Sequence, residues 1–498
     1  MGVTNQIVGL LLSLSILVIV HEFGHYCFAR LFKTRVEKFY MFFNPWFSLV
    51  RMKKIGGRWH FKFFAPNVED ALVPLKDANG NTIKDEKGKE QFRAMTDAER
   101  AALPQDDWRK DPDNTEWGIG WLPFGGYCSI AGMVDETKEA GALQSEPQTW
   151  EFRTKPAWQR LLIILGGVLV NFVTALVLYT VVLYSWGEEF IPVKNATYGF
   201  HFSNVALDAG FQNGDKIVSL DGQDVRDVGT LITTMVIDGT KSVQVERGND
   251  IVEIILPEDF GKSVVAQSES RVPVCQFDMP FVIDSVLPGL AAYEAGLKKG
   301  DSLVAINDST IFSFFDFQSQ FVEYKGDSIK LSYIREDSLY DVEILLSDKG
   351  QIGVAPKSPY AFLKSEKVEY SLLESVPKGI AKGLNTLSSY VKQFKFVFSK
   401  EGATQLGGFG TLGSIFPKTW NWEMFWTMTA FLSMALAFMN FLPIPALDGG
   451  YILFILVEMI TRKKPSDKFL SYANTVGFAL LLALLIWANG LDVLRALR

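Results

Sequence analysis

Cysteine is scarce in this chain of 498 residues, which contains only Cys27, Cys128 and Cys275. The three lie far apart and form no C-x-x-C pair, so neither a disulfide framework nor a thiolate metal site is indicated. Long basic runs are also absent, and the net charge of -7 is mild. Because nucleic-acid binding depends on clustered positive charge, no nucleic-acid partner is expected.

Charged residues are missing from four long stretches. Residues 2–20, 161–186, 424–447 and 469–491 contain no Lys, Arg, Asp or Glu. About 20 apolar residues are enough for a helix to cross a lipid bilayer. The sequence therefore predicts a polytopic α-helical membrane protein with four transmembrane helices. A cleaved signal peptide fits the first stretch less well, because it has no basic n-region and no small-residue cleavage site.

Positive charge marks the expected orientation of these helices. Lys and Arg residues cluster in residues 30–38 and 462–468, and cytoplasmic flanks of membrane spans collect such residues. Both connections are therefore expected in the cytoplasm, and residues 187–422 on the opposite side. In a Gram-negative bacterium, this places the chain in the inner membrane with that region in the periplasm.

An internal repeat occurs in the region between the second and third apolar stretches. "ALDAGFQNGDKIVSLDG", which begins at Ala206, aligns with "AYEAGLKKGDSLVAIND", which begins at Ala292, at an offset of 86 residues. Each copy carries a Gly-Asp pair followed by a short strand pattern and a turn. Both resemble the A-G-L-x-x-G-D stretch of PDZ domains. That likeness implies two α+β modules that bind peptide ligands by strand addition, although rigid spacers without a ligand remain an alternative.

Only four histidines occur, and two of them stand at the end of the first apolar stretch in "VIVHEFGHYCF". On a helix His21 and His25 face the same side and can bind one metal ion, while Glu22 projects beside them as a general base. Neutral imidazoles suit Zn²⁺, and a catalytic zinc ion takes three protein ligands and leaves a position for water. A purely structural histidine pair is the alternative interpretation.

A third ligand is expected at a similar membrane depth. Asp448 closes an uncharged run in "MNFLPIPALDGGYILF", where prolines and glycines break the helix and let the backbone approach a site. An ionisable residue within an apolar segment is a functional candidate by default. A carboxylate at the membrane interface is the simpler alternative for Asp448.

Together these motifs resemble the site-2 protease family of intramembrane zinc metalloproteases, and its regulator of sigma-E protease branch in particular. The likeness rests on HEFGH, on N-x-x-P-x-P-x-x-D-G from Asn440 to Gly449, on the two PDZ-like repeats, and on "GGVLVNF" in the second apolar stretch. It implies peptide-bond hydrolysis within the membrane, with zinc held by His21, His25 and Asp448. Asn440, Pro443 and Asn171 are predicted to bind substrate, with Asn440 clamping its unwound backbone.

The resemblance also implies the class of substrate. Single-pass membrane proteins, such as trimmed anti-sigma factors, or remnant signal peptides would be cut, and a membrane-associated β-hairpin after the first span would pair with the unwound segment. Two other classes of function remain open from the residues, a catalytically silent PDZ scaffold and a metal transporter.

The predicted organisation follows the chain. The segments are a first transmembrane helix with HEFGH (1–30), a cytoplasmic membrane-associated β region (31–157) with a polar insertion (67–116), a second transmembrane helix (158–186), two PDZ-like domains (187–270 and 271–360), amphipathic helices with a Gly-rich segment (361–421), a third transmembrane segment (422–460) and a fourth transmembrane helix (469–491).

Overall fold

The computed structural model of the chain forms two compact units. One consists of Met1–Trp186, Tyr370–Val391 and Leu406–Arg498, and the other of Gly187–Glu369 and Lys392–Gln405. The structure describes residues 2–67, 72–74, 82–83, 92–104, 107–123, 125–133, 147–267, 273–321, 324, 326–346, 352–397 and 399–497. Much of the predicted polar insertion 67–116 lies outside these described residues.

The helices of the described chain vary from a single turn to more than thirty residues. They are α1 Gly2–Leu31, α2 Asp97–Ala101, α3 Ala157–Trp186, α4 Asn204–Asp208, α5 Val228–Thr233, α6 Phe260–Gln267, α7 Ala291–Glu294, α8 Phe314–Phe321, α9 Leu372–Val397, α10 Lys400–Ala403, α11 Phe409–Ser414, α12 Trp422–Phe441, α13 Asp448–Thr461 and α14 Asp467–Leu497.

The strands form several small sheets and one larger one. They are β1 Val36–Met41, β2 Phe47–Ile55, β3 Arg58–Pro66, β4 Leu72–Pro74, β5 Phe92–Ala94, β6 Glu116–Ile119, β7 Tyr127–Ile130, β8 Glu188–Phe190, β9 Phe200–Phe202, β10 Lys216–Leu220, β11 Ser242–Arg247, β12 Asp250–Ile255, β13 Cys275–Phe277, β14 Ile283–Val286, β15 Ser302–Ile306, β16 Ser309–Thr310, β17 Ser328–Arg335, β18 Ser338–Leu345, β19 Val354–Pro356 and β20 Glu366–Val368.

Four helices of the first unit, α1, α3, α12 and α14, are long and apolar enough to cross a membrane. Each contains at least 20 residues, which at about 1.5 Å per residue spans the roughly 30 Å hydrocarbon core. The four apolar helices predicted from the uncharged stretches are therefore confirmed. This assignment rests on the length and composition of the helices.

The third apolar segment is broken at its prolines, as the sequence predicts. It consists of α12 and α13, separated by residues 442–447. Leu442, which precedes Pro443, has the extended backbone (ψ 142°) that a following proline ring imposes. Pro443 and Pro445 also lack the backbone N–H that a continuing helix would need. The helix therefore stops before the loop and starts again at Asp448.

Helix α9 is one continuous helix although Pro377 lies inside it. Two glycines of α9 explain how packing offsets the lost hydrogen bond. A Cβ atom on Gly379 would overlap Thr180 of α3, and one on Gly383 would lie 2.5 Å from Leu176 Cδ2. The backbones of α9 and α3 thus approach closely over this stretch, which stabilises α9 despite its proline.

A five-stranded sheet of the first unit has the strand order β3, β2, β6, β1, β7. Strands β2 and β3 form the predicted hairpin, with Ile55 opposite Arg58 at its turn. The hairpin exposes Trp59, Phe61 and Phe63, which alternate along β3 and so share one face. The opposite edge of the sheet is β7, which pairs only with β1 among the described strands.

One apolar core joins the helices to this sheet. It includes Ala29 of α1, Ile163 of α3 and Ile452 of α13, together with Val36 of β1 and Ile130 of β7. Packing between helices in a membrane depends on such close van der Waals contact. The core therefore fixes α1, α3, α13 and the β7 edge against one another, and these four elements carry the residues described below.

The second unit contains two similar α+β modules, and each holds a buried ion pair in the same place. Arg247 donates to both carboxylate oxygens of Asp215 at 2.8 and 2.7 Å. Arg335 makes the same two bonds with Asp301 at 2.7 Å each. The side chains of both aspartates are almost fully buried, and paired hydrogen bonds of this kind give strong orientation.

The boundary between the modules lies further along the chain than predicted. Strand β13 (275–277) pairs with β9 of the first module, and Cys275 belongs to that module's core. The core of the second module begins at Phe281. The predicted boundary after residue 270 is therefore too early, because a repeated turn motif does not show which strands pair.

Candidate metal centre and active site

Helix α1 brings His21 and His25 together near its C-terminal end. The two residues are four positions apart, so their side chains project from one face. Their Nε2 atoms lie 3.2 Å apart, and the rings meet edge to face with centroids 4.8 Å apart. Two ring nitrogens are thus aimed at the same point.

Asp448 completes this cluster as the first residue of α13. Its Oδ2 atom lies 3.1 Å from His21 Nε2 and 3.3 Å from His25 Nε2. Backbone N–H groups at a helix N-terminus favour a negative charge there. The structure therefore joins three residues that are distant in sequence, and among the described residues they form the one group with metal-ligand geometry.

The dimensions of this triangle fit a zinc ion. In a tetrahedral site with bonds of about 2.0–2.1 Å, neighbouring ligand atoms lie about 3.3–3.4 Å apart, close to the three separations found here. Asp448 Oδ2 lies near both rings and is buried. It has no hydrogen-bond partner within the described chain. A buried carboxylate oxygen left in this way is suited to bind a cation.

The far sides of both imidazoles are also held. His25 Nδ1 lies 3.0 Å from the carbonyl oxygen of Ile163; because a carbonyl only accepts, Nδ1 carries the proton and Nε2 is free for a metal. His21 Nδ1 lies 3.3 Å from the carboxamide of Asn171. The oxygen and nitrogen of a carboxamide exchange places when the group rotates by 180°. In that orientation Asn171 Oδ1, which otherwise has no partner, accepts a hydrogen bond from the His21 Nδ1–H. Such contacts orient metal-binding histidines.

Contacts with the two histidines explain the G-x-x-x-N pattern of α3. A Cβ atom on Gly167 would lie 2.5 Å from His25 Nε2 and 2.7 Å from His21 Cε1. Asn171, one turn further along the same face, contacts His21. A Cβ atom on Gly24 would overlap the carbonyl of Gly166. Only small residues allow α1 and α3 to cross this closely.

Glu22 lies beside the triangle and is not part of it. The three ligand atoms of the cluster come from the two histidines and Asp448, which leaves the Glu22 carboxylate free of that role. Its carboxylate instead contacts the backbone N–H of Cys128 in β7. A carboxylate next to a metal site and outside its ligand set is placed to accept a proton from water.

The loop that precedes Asp448 is compact, and its glycines are required by close contacts. A Cβ atom on Gly449 would overlap the carbonyl of Leu442, and one on Gly450 would lie 2.7 Å from the carbonyl of Ile444. The first turn of α13 therefore packs directly against the loop. The D-G-G sequence can be explained by this packing alone.

The residues predicted to bind substrate occupy different surroundings. Asn440 is partly exposed in the last turn of α12, and its carboxamide has no hydrogen bond among the described residues. Pro443 is exposed in the following loop. Asn171, in contrast, is only 1% exposed and lies behind His21, not on a surface that a substrate reaches directly.

Sequence reasoning missed one ion pair that anchors α13. Arg160 of α3 donates two hydrogen bonds to the Glu458 carboxylate, at 3.1 and 2.6 Å. Both side chains are largely buried. Glu458 follows nine uncharged residues in α13, and such an isolated charge in an apolar segment is a signal that could have drawn attention to it.

Apolar helices long enough to span a bilayer, a His-His-Asp cluster with the spacing of zinc ligands and a neighbouring carboxylate outside that cluster are typical of a membrane metallohydrolase. The family model for Peptidase family M50 matches residues 9–95 and 102–484, and the chain belongs to that family. It is thus a site-2 type zinc metalloprotease and a membrane protein, not a silent scaffold or a metal transporter.

Curated relatives agree with this assignment. A Neisseria meningitidis protein named as a candidate zinc metalloprotease is 25% identical over 99% of this chain and 100% of its own length. The regulator of sigma E protease of Haemophilus influenzae is 27% identical over 78% of this chain and 89% of its own. A Thermotoga maritima protein, also named as a candidate zinc metalloprotease, is 25% identical over 98% and 99%.

Proposed function

We propose that this protein is an intramembrane endopeptidase that cleaves the transmembrane segments of single-pass membrane proteins. The observation that carries the proposal is the position of His21 and His25 on α1, a helix long and apolar enough to span a membrane, with Asp448 beside them at the start of the shorter helix α13. Polar ligands are costly among such helices unless they serve a function. A peptide bond that reaches this site is one from within an apolar segment.

Each residue of the site has a distinct role in the proposed hydrolysis. Zinc, held by the three side chains, supplies Lewis-acid activation of water and of the peptide carbonyl. Glu22 accepts a proton from the attacking water, whose oxygen bonds to the carbonyl carbon. As the C–N bond breaks, Glu22 returns the proton to the departing amine nitrogen.

Strand β7 is the proposed support for the unwound substrate. A helix hides its peptide groups in internal hydrogen bonds, so a substrate must unwind before it is cut. Strand β7 is the edge strand of its sheet and pairs with β1, and Glu22 contacts its Cys128 backbone. Substrate added along this edge would pass the general base. In this proposal the substrate pairs with β7, whereas the sequence resemblance implied pairing with the hairpin β2–β3. Asn440 and Pro443 are proposed as further substrate contacts.

The proposed substrates are trimmed anti-sigma factors or remnant signal peptides. One relative is named a regulator of sigma E protease, which supports this class by likeness. The basic clusters at residues 30–38 and 462–468 support a cytoplasmic position for those connections. On this basis the protein lies in a bacterial inner membrane with the second unit in the periplasm.

Metal removal tests the proposed activity. The purified protein, reconstituted with a single-pass substrate, is expected to cut within its apolar segment and to stop when 1,10-phenanthroline removes zinc. Added zinc should restore cleavage, because the ligand triangle remains intact. Mass spectrometry of the products identifies the cut. Cleavage outside the apolar segment, or undiminished cleavage after verified zinc removal, would contradict the proposal.

The two modules of the second unit are proposed to be PDZ-like filters that exclude substrates with large periplasmic domains. Deletion of residues 204–356 should then allow cleavage of a full-length substrate that the intact protein cuts only after trimming. The trimmed substrate should still be cut by both proteins. Gel-based cleavage assays on both substrates measure this.

The same deletion distinguishes exclusion from recruitment. If the modules bind the new C-terminus of a trimmed substrate, the deletion should slow cleavage of that substrate and leave the full-length one uncut. Retained zinc content shows that the shortened protein is folded. Loss of cleavage with both substrates in a zinc-loaded protein would count against exclusion.

A further inference from the structure

The loop before Asp448 contains a backbone conformation that needs support. Ala446, two positions before the ligand, has a φ of 73°. This is the left-handed region, which residues other than glycine seldom adopt without surrounding constraints. Something must therefore hold Ala446 in place, since a shift there would move Asp448 directly.

Asn474 of α14 provides such a constraint on both sides of the ligand. Its Oδ1 atom accepts a hydrogen bond from the Ala446 N–H at 3.3 Å. Its Nδ2 atom donates to the Tyr451 hydroxyl at 2.6 Å. Ala446 lies in the loop and Tyr451 in the first turn of α13, so one carboxamide bridges the two segments that flank Asp448.

A second contact from the same face of α14 brings the helix against this loop. A Cβ atom on Gly477, three positions after Asn474, would overlap the carbonyl of Pro445. Most of α14 is otherwise exposed in the described structure. The contacts of Asn474 and Gly477 with the loop are separate from those that Asn489 and Asp492 of the same helix make with α11.

We propose that Asn474 is a positioning residue for the metal centre, which holds the left-handed Ala446 and the start of α13 so that the Asp448 carboxylate meets the two histidines. It touches neither the metal position nor the substrate and acts through the loop. The proposal deepens the proposed function and rests on the role of Asp448 as a zinc ligand.

Replacement of Asn474 by leucine tests this role, because leucine is similar in size and removes both hydrogen bonds. The zinc dissociation constant, measured by competition with a chelator, should rise about 10-fold to 100-fold, the usual effect of losing an outer partner of a metal ligand. The absorption spectrum of the cobalt-substituted protein should change as the ligand geometry loosens. Asn474→Asp, which keeps the acceptor for Ala446, should retain most of the affinity.

A matched control lies on the same helix. Asn489 of α14 accepts a hydrogen bond from the Phe409 N–H and has no bond to the loop. Asn489→Leu should leave both the zinc affinity and the cobalt spectrum within about twofold of the wild type, since it changes no partner of a ligand. Equal losses in the two leucine variants would overturn the proposal, as would wild-type affinity in Asn474→Leu.

Glycine at position 446 gives an independent check. Because glycine adopts a positive φ without steric cost, Ala446→Gly should recover part of the affinity lost in Asn474→Leu, and no recovery would overturn the proposed path through Ala446. If Asn474→Leu does not fold, Asn474→Ala removes the same bonds and is judged by the same thresholds. The wild type in the same titration tests the ligand triangle separately. If it binds no zinc, the proposed metal site fails, whatever the role of Asn474.

Discussion

Replacement of Glu22 by glutamine is expected to abolish cleavage and to leave zinc bound. Glutamine keeps the size of the side chain but cannot accept a proton from water. General acid–base catalysis contributes about 10²-fold to 10⁴-fold, so the rate should fall by at least that factor. The zinc dissociation constant should change by less than about threefold, because the ligand triangle does not include Glu22.

The same substitution at an uninvolved glutamate provides the control. Glu423 is exposed in the first turn of α12, and Glu423→Gln should cleave at the wild-type rate. Turnover by Glu22→Gln within tenfold of the wild type would end the general-base assignment. Loss of zinc from Glu22→Gln would instead make this residue a ligand.

Replacement of Asp448 by alanine should remove both zinc and activity. Loss of an outer partner of a ligand weakens metal binding by about 10-fold to 100-fold, and loss of a ligand itself should exceed that range. Two imidazoles alone form an incomplete catalytic zinc site. Metal analysis of the purified variant and cleavage of the single-pass substrate measure the two effects.

A second, partly buried aspartate distinguishes this effect from general damage. Asp492 of α14 accepts hydrogen bonds from Thr411 and does not approach the histidines. Asp492→Ala is expected to keep its zinc, even if its thermal stability falls. Full zinc occupancy in Asp448→Ala would mean that another residue completes the site.

The apolar helices and the grouping of His21, His25 and Asp448 could be predicted because each follows from a local cost. Long uncharged stretches have few alternatives to a membrane span, and the pair His21 and His25 is set by helix periodicity alone. Asp448 was found because a carboxylate in an apolar segment needs a partner. The prolines near it also predicted the break between α12 and α13, although not that a separate helix would follow.

The contacts that shape the site could not be predicted in the same way, because they join distant parts of the chain. Strand β6 inserts between β1 and β2 from beyond the polar insertion, which no local pattern reveals. As a result β7, and not the hairpin, lies beside Glu22. The nearness of Gly167 to both histidines, and the reach of Asn474 to Ala446, likewise depend on how helices cross.

The matching ion pairs of the second unit occupy the same place in two modules of slightly different length. Asp301 follows Asp215 by 86 residues, whereas Arg335 follows Arg247 by two residues more, so the chain between the two partners is two residues longer in the second module. The carboxylate of each pair is almost fully buried, and a buried carboxylate that loses its cation is strongly destabilised. Each module therefore tolerates a change in the length of this segment more readily than a change of either charged residue.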